Sequence, residues 1–511
     1  MNKNNIILTA TALALALAIG VLSADAKSFK RGVSENAFNL KEEIDVIKTG
    51  TSWFYTWGNV PNNNIKDLPD ADFEFVPMCW NANYNADNIR SYCKSHPETK
   101  YLLGFNEPNF KNQANMTPEA AAAAWPAVQA LAKELGLKLV GPAVNYSPDG
   151  PENDPYTWYA KFVNLVGKDA FDYIAIHNYS GGVDGMRTMI DKLYGLYGKQ
   201  IWLTEFCNWP GNNTVTPEAQ ITSMVAQVEY LEKSEKVYRY AWFKAKGSIT
   251  TSPAYGLIVP KNGVGERELS EQGKVYVNMS DFDQTRYHSM TEVVPAVEYV
   301  NSNTLVLGSS FDGKNPSPIE ITKFNSGAYA DYQFDVPAAG SYTLTLRVSG
   351  MGEPTRFDPT VGIYSVDNDG KELSTLADNR QFQLPNDNQS YVDVQFAVSL
   401  AAGKQRIRIK DGGPYSPSGI HISCLTFNPN GSVSDMTIDT EKVACHFAGE
   451  CLQFTGNAAI GTASVYDLNG RLVASGEVEG NALAAEGLAD GVYVVKAVTA
   501  EGAATTLKVV K

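Results

Sequence analysis

The first half of the sequence repeats one hydrophobic pattern, in which a short run of β-branched and aromatic residues precedes a polar loop and usually a helical segment. Eight of these runs are predicted strands: one around Gly32 and others over residues 53–57, 73–80, 101–105, 137–144, 173–177, 201–206 and 238–244. Two Thr-Pro-Glu segments, 117–119 and 216–218, predict helix starts, because they combine an N-cap, a first-turn proline and an acidic first turn. Eight strand–helix units predict an α/β fold, a (β/α)₈ TIM barrel over residues 27–290, with its active site at the carboxyl ends of the strands.

The second half of the sequence has a different pattern, with short alternating strands, turns and no long amphipathic helix. Residues 328–344 predict two strands joined as a hairpin by a Pro/Gly turn, and residues 405–410 alternate cleanly. Residues 291–430 have the length of an all-β jelly-roll sandwich, and residues 433–511 predict a small C-terminal β-sandwich. The sequence therefore predicts a barrel followed by two β domains.

Residues 1–26 have the pattern of a cleaved secretory signal peptide. Lys3 precedes an apolar run over residues 6–22, and Ala24-Asp25-Ala26 has the small-x-small form of a cleavage site. An N-terminal membrane anchor is the alternative, but the apolar run is short for a span and lacks strong flanks. We therefore expect a secreted chain with no membrane span.

Composition excludes several classes of protein. Hydrophobic residues make up 44% and charged residues 19% of the 511 residues, which fits neither a disordered chain nor a polytopic membrane protein. The net charge of −14 disfavours nucleic acid as a partner. The six cysteines lack the density of a disulfide scaffold, and Cys445 with Cys451 is the one plausible local pair. Nothing in the sequence indicates an oligomeric state.

Two glutamates stand at strand ends that face each other in a barrel. Glu107 follows the fourth predicted strand and Glu205 ends the seventh. Hydrolysis of a glycosidic bond needs one carboxylic acid to protonate the leaving oxygen and one carboxylate opposite, about 5–5.5 Å away for retention or about 6.5–9.5 Å away for inversion. Either glutamate alone would be interpreted as a solvated loop carboxylate. Together, after apolar strands with aromatic neighbours, they predict a glycosidase.

Four motifs carry a resemblance to a known family. They are Leu-Gly-Phe-Asn-Glu-Pro-Asn over residues 103–109, Gly-Pro-Ala over 141–143, His-Asn-Tyr over 177–179 and Trp-Leu-Thr-Glu-Phe over 202–206. In this order they resemble glycoside hydrolase family 128 of clan A, over about half of the chain. The resemblance implies a retaining β-1,3-glucanase on a (β/α)₈ barrel, with Glu107 as acid/base and Glu205 as nucleophile. Asn106 would then contact the sugar 2-hydroxyl.

Further residues at strand ends are predicted to bind substrate or support the carboxylates. Tyr179 can donate its phenol to Glu205, and His177 can belong to the same network. The other predicted substrate-binding residues are Trp57, Trp80, Asn145, Trp209 and Trp242. The four tryptophans are candidates for a stacking trench, with Trp242 as the aromatic floor that clan A enzymes place after strand eight. The buried tryptophans are predicted to be Trp53, Trp125 and Trp202.

One departure from clan A concerns strand two, which many members follow with an arginine. Here residues 56–59 are Thr-Trp-Gly-Asn, so the charge of the nucleophile must be tuned in another way. No catalytic metal or organic cofactor is expected, because the five histidines lack ligand spacing and no phosphate-binding loop or Ser-His-Asp arrangement is present in the sequence.

The predicted jelly-roll resembles a family 6 carbohydrate-binding module in segments 296–299, 328–344 and 419–425. The resemblance implies a structural calcium site with Glu298 as a ligand, although Ser423 stands where an acidic or amide residue would be more convincing. The module contains no tryptophan, and Tyr391 is the nearest aromatic substitute for sugar stacking. Both glycan binding and a structural buttress for the barrel therefore remain open.

The C-terminal segment resembles a sorting domain of type IX secretion, in residues 463–473, 491–496 and 508–511. Residues 467–470 predict a hairpin turn and residues 508–511 a terminal strand. The resemblance implies a Gram-negative source of the Bacteroidetes type and release or display outside the outer membrane. An ordinary additional β-domain is the alternative.

The combined prediction is a secreted retaining β-1,3-glucanase whose partner is a β-glucan polysaccharide or oligosaccharide. Two alternatives remain. One is hydrolysis of another β-glycan, such as mannan or xylan, and the other is a non-catalytic glycan-capture protein on the cell surface. The intact carboxylate pair argues against the second alternative.

Overall fold

The computed structural model describes the chain from Lys27 to Lys511 with short internal gaps. The residues outside the description are 1–26, 210, 212–213, 262–265, 304, 326, 352–357, 413–418, 430–442, 457–458, 468–470 and 500–503. The predicted signal peptide and most of the predicted turn at 467–470 therefore lie outside the described residues. Among the described helices, none is both long enough and apolar enough to cross a membrane.

Eight parallel strands form one sheet in the first part of the chain. They are β1 (Arg31–Ser34), β2 (Trp53–Tyr55), β3 (Glu74–Phe75), β4 (Tyr101–Leu103), β5 (Lys138–Val144), β6 (Tyr173–Asn178), β7 (Ile201–Phe206) and β8 (Val237–Phe243). Their order across the sheet is β3-β2-β1-β8-β7-β6-β5-β4. One parallel bridge, between Met78 and Leu103, joins the segment after β3 to β4 at the two ends of this order. The eight predicted strands and their parallel α/β arrangement are thus confirmed, with several strands shorter than predicted.

Helices follow every strand of this sheet except β2. They are α1 (Lys41–Ile47), α2 (Ala86–Ser95), α3 (Pro118–Leu135), α4 (Pro155–Val166), α5 (Gly182–Tyr197), α6 (Pro217–Lys233) and α7 (Glu271–Asn278). Thr117 and Thr216 cap α3 and α6 as predicted, since each side chain accepts a hydrogen bond from a backbone N–H of the first turn. Gly136 ends α3 in the left-handed conformation, with φ 68°. A short hairpin, β9 (Ile258–Pro260) and β10 (Arg267–Leu269), precedes α7.

Aromatic side chains fill the inside of the parallel sheet. Trp53 and Trp202 are fully buried, with ring centroids 4.9 Å apart. The guanidinium of Arg239 lies over both rings and is paired with Glu74 at 2.7 Å. Trp125 is fully buried as well, so the three tryptophans predicted to be core residues are confirmed. Because the interior is packed with side chains, a cavity can form only towards the strand ends.

The chain divides into two compact units. The first, called the α/β unit below, extends to Phe282 and includes the short segments Leu307–Ser309 and Pro316–Ile319. The second, called the β unit, contains the rest of the chain to Lys511. The predicted domain boundaries near residues 290 and 430 stay predictions.

The strands after α7 form two sheets that are mostly antiparallel. The strands of this region are β11 (His288–Ser289), β12 (Val294–Pro295), β13 (Asn301–Asn303), β14 (Val306–Ser309), β15 (Ile319–Phe324), β16 (Tyr329–Val336), β17 (Gly340–Ser349), β18 (Thr360–Val366), β19 (Glu372–Gln381), β20 (Val392–Leu400), β21 (Gly403–Asp411) and β22 (Ile420–Pro429). One sheet has the order β11-β16-β21-β18-β19, and the other contains β15-β22-β17-β20. The predicted hairpin over residues 328–344 is wrong in one respect, because β16 and β17 belong to different sheets and their Pro/Gly turn crosses between them.

The last part of the chain forms two smaller sheets. Its strands are β23 (Val443–Ala448), β24 (Cys451–Gly456), β25 (Ile460–Tyr466), β26 (Leu472–Glu477), β27 (Ala482–Ala484), β28 (Val492–Thr499) and β29 (Ala504–Val510). The orders are β23-β24-β27 and β26-β25-β28-β29, around one cluster of buried side chains. Cys445 lies opposite Phe454 and Cys451 opposite Ala448, and all six cysteines are free. The plausible pair of Cys445 with Cys451 is therefore not formed.

Candidate active site

The carboxyl ends of β4 and β7 bring two buried glutamates together. Glu107 follows β4 with a backbone φ of 40°, a left-handed conformation that is uncommon outside glycine, and Glu205 belongs to β7 itself. Their exposed fractions are 7% and 4%. Ligand atoms of Glu107, His177 and Glu205 all lie within 4.8 Å of one another. The two carboxylates that the sequence assigned to facing strand ends are neighbours in the structure.

Three neutral donors bond Glu205. The indole Nε1–H of Trp57 donates to Oε1 at 2.6 Å, and the hydroxyl of Tyr55 donates to the same oxygen at 3.2 Å. The hydroxyl of Tyr179 donates to Oε2, the contact expected from the sequence. Both oxygens of this buried carboxylate are therefore satisfied without an arginine among the described residues that bond it.

His177 connects the two glutamates. It is fully buried at the end of β6, and its Nδ1 lies 2.9 Å from Oε1 of Glu107 and 3.4 Å from Oε2 of Glu205. Burial lowers the pKa of His177, but the carboxylates of Glu205 and Glu107 outweigh burial, so the net pKa is raised. Its Nε2 makes no hydrogen bond within the described part of the chain.

Burial and charge also change the acidity of the groups around Glu205. Burial raises the pKa of Glu205, and the nearby Glu107 adds to this, whereas His177 and the hydrogen bonds from Tyr179 and Trp57 oppose it. The net pKa of Glu205 is raised. Burial and the charge of Glu205 also raise the pKa of the Tyr179 phenol well above its ordinary value, so this hydroxyl keeps its proton and remains a donor.

Two asparagines of the 103–109 motif have separate tasks. Asn106 lies against the cavity, its Nδ2 is 3.3 Å from Oε1 of Gln113, and its Oδ1 accepts no hydrogen bond within the described residues. Asn109 is buried, and its Nδ2 donates to the backbone oxygens of Asn145 at 2.6 Å and Glu152 at 3.2 Å. Asn106 thus presents a free acceptor beside Glu107, and Asn109 fixes the loop after β5.

A cavity of about 980 Å³ opens over the two glutamates. Its walls include the predicted residues Trp57, Trp80, Asn106, Asn145, Tyr179 and Trp209, together with Asn36, Phe110, Gln113, Tyr146, Pro148, Ser180, Gly211, Phe243 and Lys244. Trp209 is 41% exposed and Tyr146 is 58% exposed. Exposed and half-buried aromatic rings beside two carboxylates can stack on the apolar faces of a sugar.

Two predicted substrate-binding residues do not reach this cavity. Trp242 is fully buried, with its indole Nε1–H bonded to the backbone oxygen of Tyr255 at 2.8 Å. Phe243, the next residue, lines the cavity in its place, because neighbouring side chains of a strand point to opposite faces. His177 is also fully buried and contacts the carboxylates instead of the cavity. The prediction of Trp242 as the aromatic floor is therefore wrong.

Several residues of the site were not predicted from the sequence. Tyr55 is the last residue of β2, and it bonds the same oxygen of Glu205 as Trp57 does two positions later. Phe243 needed only a shift of one residue from Trp242. Tyr146 comes from the loop after β5, for which the sequence carried no periodic signal, and Lys244 was predicted as the end of the eighth strand without a role in the site.

Groups that could bind a metal ion differ between the two units. Among the described residues, Glu107, His177 and Glu205 are the one group of three candidate ligands close enough to share an ion. In the β unit, Glu298 is paired with Arg286 at 3.4 Å, and the hydroxyl of Ser423 donates to Asp312 at 2.7 Å. These contacts give no support to calcium at Glu298, which stays a prediction.

Comparison with known families gives one match. Residues 32–276 match the family model described as the glycosyl hydrolase catalytic core. This segment contains the eight parallel strands, apart from Arg31 at the start of β1. It also contains both glutamates and the residues that line the cavity. A comparison with curated protein sequences finds no match.

Solved structures of several enzymes are similar to about half of the chain. An endo-β-1,3-glucanase of glycoside hydrolase family 128, subgroup II, from Pseudomonas viridiflava is 34% identical over 49% of this chain and 98% of its own, with a TM-score of 0.44. A subgroup II enzyme from Sorangium cellulosum is 32% identical over 48% and 97%, with a TM-score of 0.42. A subgroup I enzyme from Amycolatopsis mediterranei, in complex with laminaritriose, is 28% identical over 49% and 98%, with a TM-score of 0.39.

Proposed function

The chain is a glycoside hydrolase with its catalytic core in residues 32–276, and we propose that it belongs to family 128 and cleaves β-1,3-glucan with retention of configuration. The observation that carries the proposal is the pair Glu107 and Glu205, whose nearest ligand atoms lie within 4.8 Å of each other. Two carboxylates with oxygens this near to each other fit the short spacing of retaining enzymes, about 5–5.5 Å, better than the about 6.5–9.5 Å of inverting ones. The four sequence motifs and the substrate named for the similar glucanases support the choice of family and glucan.

The hydrogen bonds support the two proposed roles. Glu205 accepts from Trp57, Tyr55 and Tyr179, which favours its ionised form and suits a nucleophile. Glu107 accepts one hydrogen bond, from His177, among the described residues and keeps its other oxygen for the leaving group. Glu107 is therefore the acid/base.

In the first step, an oxygen of Glu205 attacks the anomeric carbon while Glu107 gives its proton to the departing glycosidic oxygen. The first product leaves, and a covalent glycosyl ester remains on Glu205. In the second step, Glu107 takes a proton from water, whose oxygen attacks the anomeric carbon and releases Glu205 as a carboxylate. The free Oδ1 of Asn106 accepts from a sugar hydroxyl beside the cleaved bond. One water is consumed and no cofactor takes part.

A panel of polysaccharides tests the substrate and the class of protein together. Reducing sugar released from laminarin, mannan and xylan is measured for the wild-type chain, for Glu205→Gln and for the control Glu42→Gln, whose side chain is exposed on α1. We expect release from laminarin by the wild type and the control, and loss in Glu205→Gln. Release from mannan or xylan alone contradicts the substrate. Binding without cleavage by the wild type supports the glycan-capture alternative.

The stereochemical outcome needs its own measurement. Proton NMR during hydrolysis of a laminari-oligosaccharide records which anomer appears first. Retention gives the β-anomer before mutarotation, and early α-anomer contradicts double displacement at Glu205.

The remaining proposals concern architecture and location. The bridge between Met78 and Leu103 supports a closed (β/α)₈ barrel. Secretion through a cleaved signal peptide and export by a type IX tail rest on the sequence alone. N-terminal sequencing of the extracellular protein tests the signal peptide, and we expect the chain to begin at Lys27.

Glycan binding by the β unit is tested by retention of full-length Glu205→Gln on insoluble β-1,3-glucan with and without Tyr391→Ala. Equal retention contradicts a binding role for Tyr391.

A further inference from the structure

Trp57 directs its polar edge to a catalytic carboxylate. The residue follows β2 with a left-handed backbone, φ 58°, and its Nε1 lies 2.6 Å from Oε1 of Glu205. Tyr55 and Phe243 pack edge-on against its ring, with centroids 5.2 Å and 5.9 Å away. The side chain is therefore held from two sides in the orientation that aims its N–H at the carboxylate.

We propose that Trp57 is a positioning residue for the nucleophile, and that its contribution is the indole N–H on Glu205 rather than a face stacked on sugar. The inference rests on the proposed function in one respect, since it takes Glu205 as the nucleophile. It replaces the sequence-based expectation that Trp57 belongs to a stacking trench.

The surroundings of Glu205 explain why one neutral donor matters. The titratable groups that face it are Tyr55 on β2, Glu107 after β4, His177 on β6 with Tyr179 after it, and Cys207 after β7. Of these, His177 alone can carry a positive charge, and it is shared with Glu107. Burial and Glu107 both raise the pKa of Glu205, and His177 together with the hydrogen bonds from Tyr179 and Trp57 opposes them, so each of these bonds favours ionisation of the nucleophile.

The other aromatic walls of the cavity differ from Trp57 in this respect. The indole nitrogens of Trp80 and Trp209 make no hydrogen bond within the described residues, and both side chains line the same cavity. Their ring faces remain the candidates for stacking on sugar. Trp57 therefore acts through its N–H, whereas Trp80 and Trp209 have ring faces available for sugar.

The decisive variant removes the N–H and little else. Replacing Trp57 by 3-benzothienylalanine, in which sulfur takes the place of the indole N–H, keeps size and aromaticity, and Trp57→Phe is its genetically simple counterpart. We expect kcat to fall about ten- to a hundred-fold, because a hydrogen bond to a buried charge is lost. KM should stay within about two-fold. The acidic limb of the kcat/KM profile should move up by roughly one pH unit, since loss of a donor to the anion raises the pKa of Glu205.

Trp80→Phe is the matched comparison, because this wall residue bonds no carboxylate in the described structure. We expect it to change KM and to leave the acidic limb in place. A higher KM with unchanged kcat and unchanged limb in both Trp57 variants overturns the proposal in favour of stacking. Wild-type values throughout overturn it as well.

A measurement without substrate separates this inference from the proposed function. In protein labelled with ¹⁵N-tryptophan, the indole signal that is lost in Trp57→Phe is compared between the wild type and Glu205→Gln. We expect this signal to shift in Glu205→Gln, because the acceptor loses its charge, and an unchanged signal overturns the inference. A wild-type chain that cleaves none of the glycans contradicts the proposed function, while the indole signal still decides the role of Trp57.

Discussion

Both units of the molecule bury a glutamate against a histidine, and the two pairs differ in what else surrounds them. In the α/β unit, Oε1 of Glu107 lies 2.9 Å from Nδ1 of His177. In the β unit, Oε1 of Glu320 lies 2.6 Å from Nδ1 of His421. The hydroxyl of Tyr391 donates to both oxygens of Glu320, at 2.8 Å each. A buried glutamate–histidine pair is therefore not by itself evidence of catalysis.

The two glutamates differ in how many hydrogen bonds they accept and in whether a second carboxylate lies nearby. Glu320 is fully buried, and Ser310 adds a further hydrogen bond to its Oε2 at 2.7 Å. Glu107 has one hydrogen bond among the described residues, lines a cavity of about 980 Å³ and has the carboxylate of Glu205 within 4.8 Å. The saturated pair holds its fold together, whereas the unsaturated pair has an oxygen free for chemistry.

The largest contrast is expected from the same substitution in both pairs. Glu107→Gln should lower kcat on laminarin by about 10²- to 10⁴-fold, because the proposed general acid is removed. Glu320→Gln should leave kcat unchanged and lower the free energy of unfolding by about 1–3 kcal/mol, because a buried network loses a charge-assisted bond. Kinetics and denaturant unfolding of the two full-length variants check this. A loss of activity in Glu320→Gln would contradict a purely structural role for Glu320.

The histidines should differ in the same direction by a smaller amount. His177→Ala removes the donor to Glu107 and the charge beside Glu205, and we expect kcat to fall about ten- to a hundred-fold. His421→Ala should leave kcat at the wild-type value and lower the melting temperature. Steady-state rates and thermal melts are the measurements. Equal kcat in the two variants contradicts a supporting role for His177.

Substitutions of two neighbouring aromatic residues on β8 test whether Phe243 rather than Trp242 lines the cavity. Phe243→Ala should raise KM by up to about ten-fold with a small change in stability, because a cavity wall is removed. Trp242→Ala should lower the free energy of unfolding by about 3–5 kcal/mol, because a fully buried side chain is lost. KM is measured at a temperature where both variants are folded. A raised KM in Trp242→Ala together with an unchanged KM in Phe243→Ala would indicate that Trp242 is the aromatic floor.

The smallest expected effect is a shift of the acidic limb of the wild-type kcat/KM profile towards higher pH. Glu205 must be ionised to attack, and its pKa is raised from 4.5 by burial and by Glu107. Activity is therefore present above this raised pKa and is lost as pH falls through it. We expect the midpoint of the acidic limb of kcat/KM to lie above pH 4.5. A midpoint at or below this value contradicts the environment described for Glu205.

Much of the α/β unit could be predicted from the sequence, because each strand is a separate apolar run and the long helices α3, α4 and α6 begin with side-chain caps. The Thr-Pro-Glu starts of α3 and α6 and the positions of Glu107 and Glu205 follow from local signals of this kind. In the β unit, β16 and β17 were predicted as strands, but their separation into two sheets depends on pairing with distant strands. Local alternation does not contain that information.

The site was less predictable where a choice depended on one residue of register. Trp242 and Phe243 are both aromatic and adjacent, so the sequence could not decide which of them faces the cavity. For Trp57 the position was right, but the use of its indole N–H depends on where Glu205 comes to lie across the sheet. Contacts between strand ends of this kind need the assembled fold.

Glu205 is the proposed nucleophile of a retaining β-glucanase. The most direct test is to inactivate the full-length enzyme with a 2-deoxy-2-fluoro laminari-oligosaccharide fluoride, digest it and sequence the labelled peptide by mass spectrometry. We expect activity to be lost in step with labelling and the added mass to be on Glu205. A label on another residue, or an active enzyme that acquires no label, would contradict it.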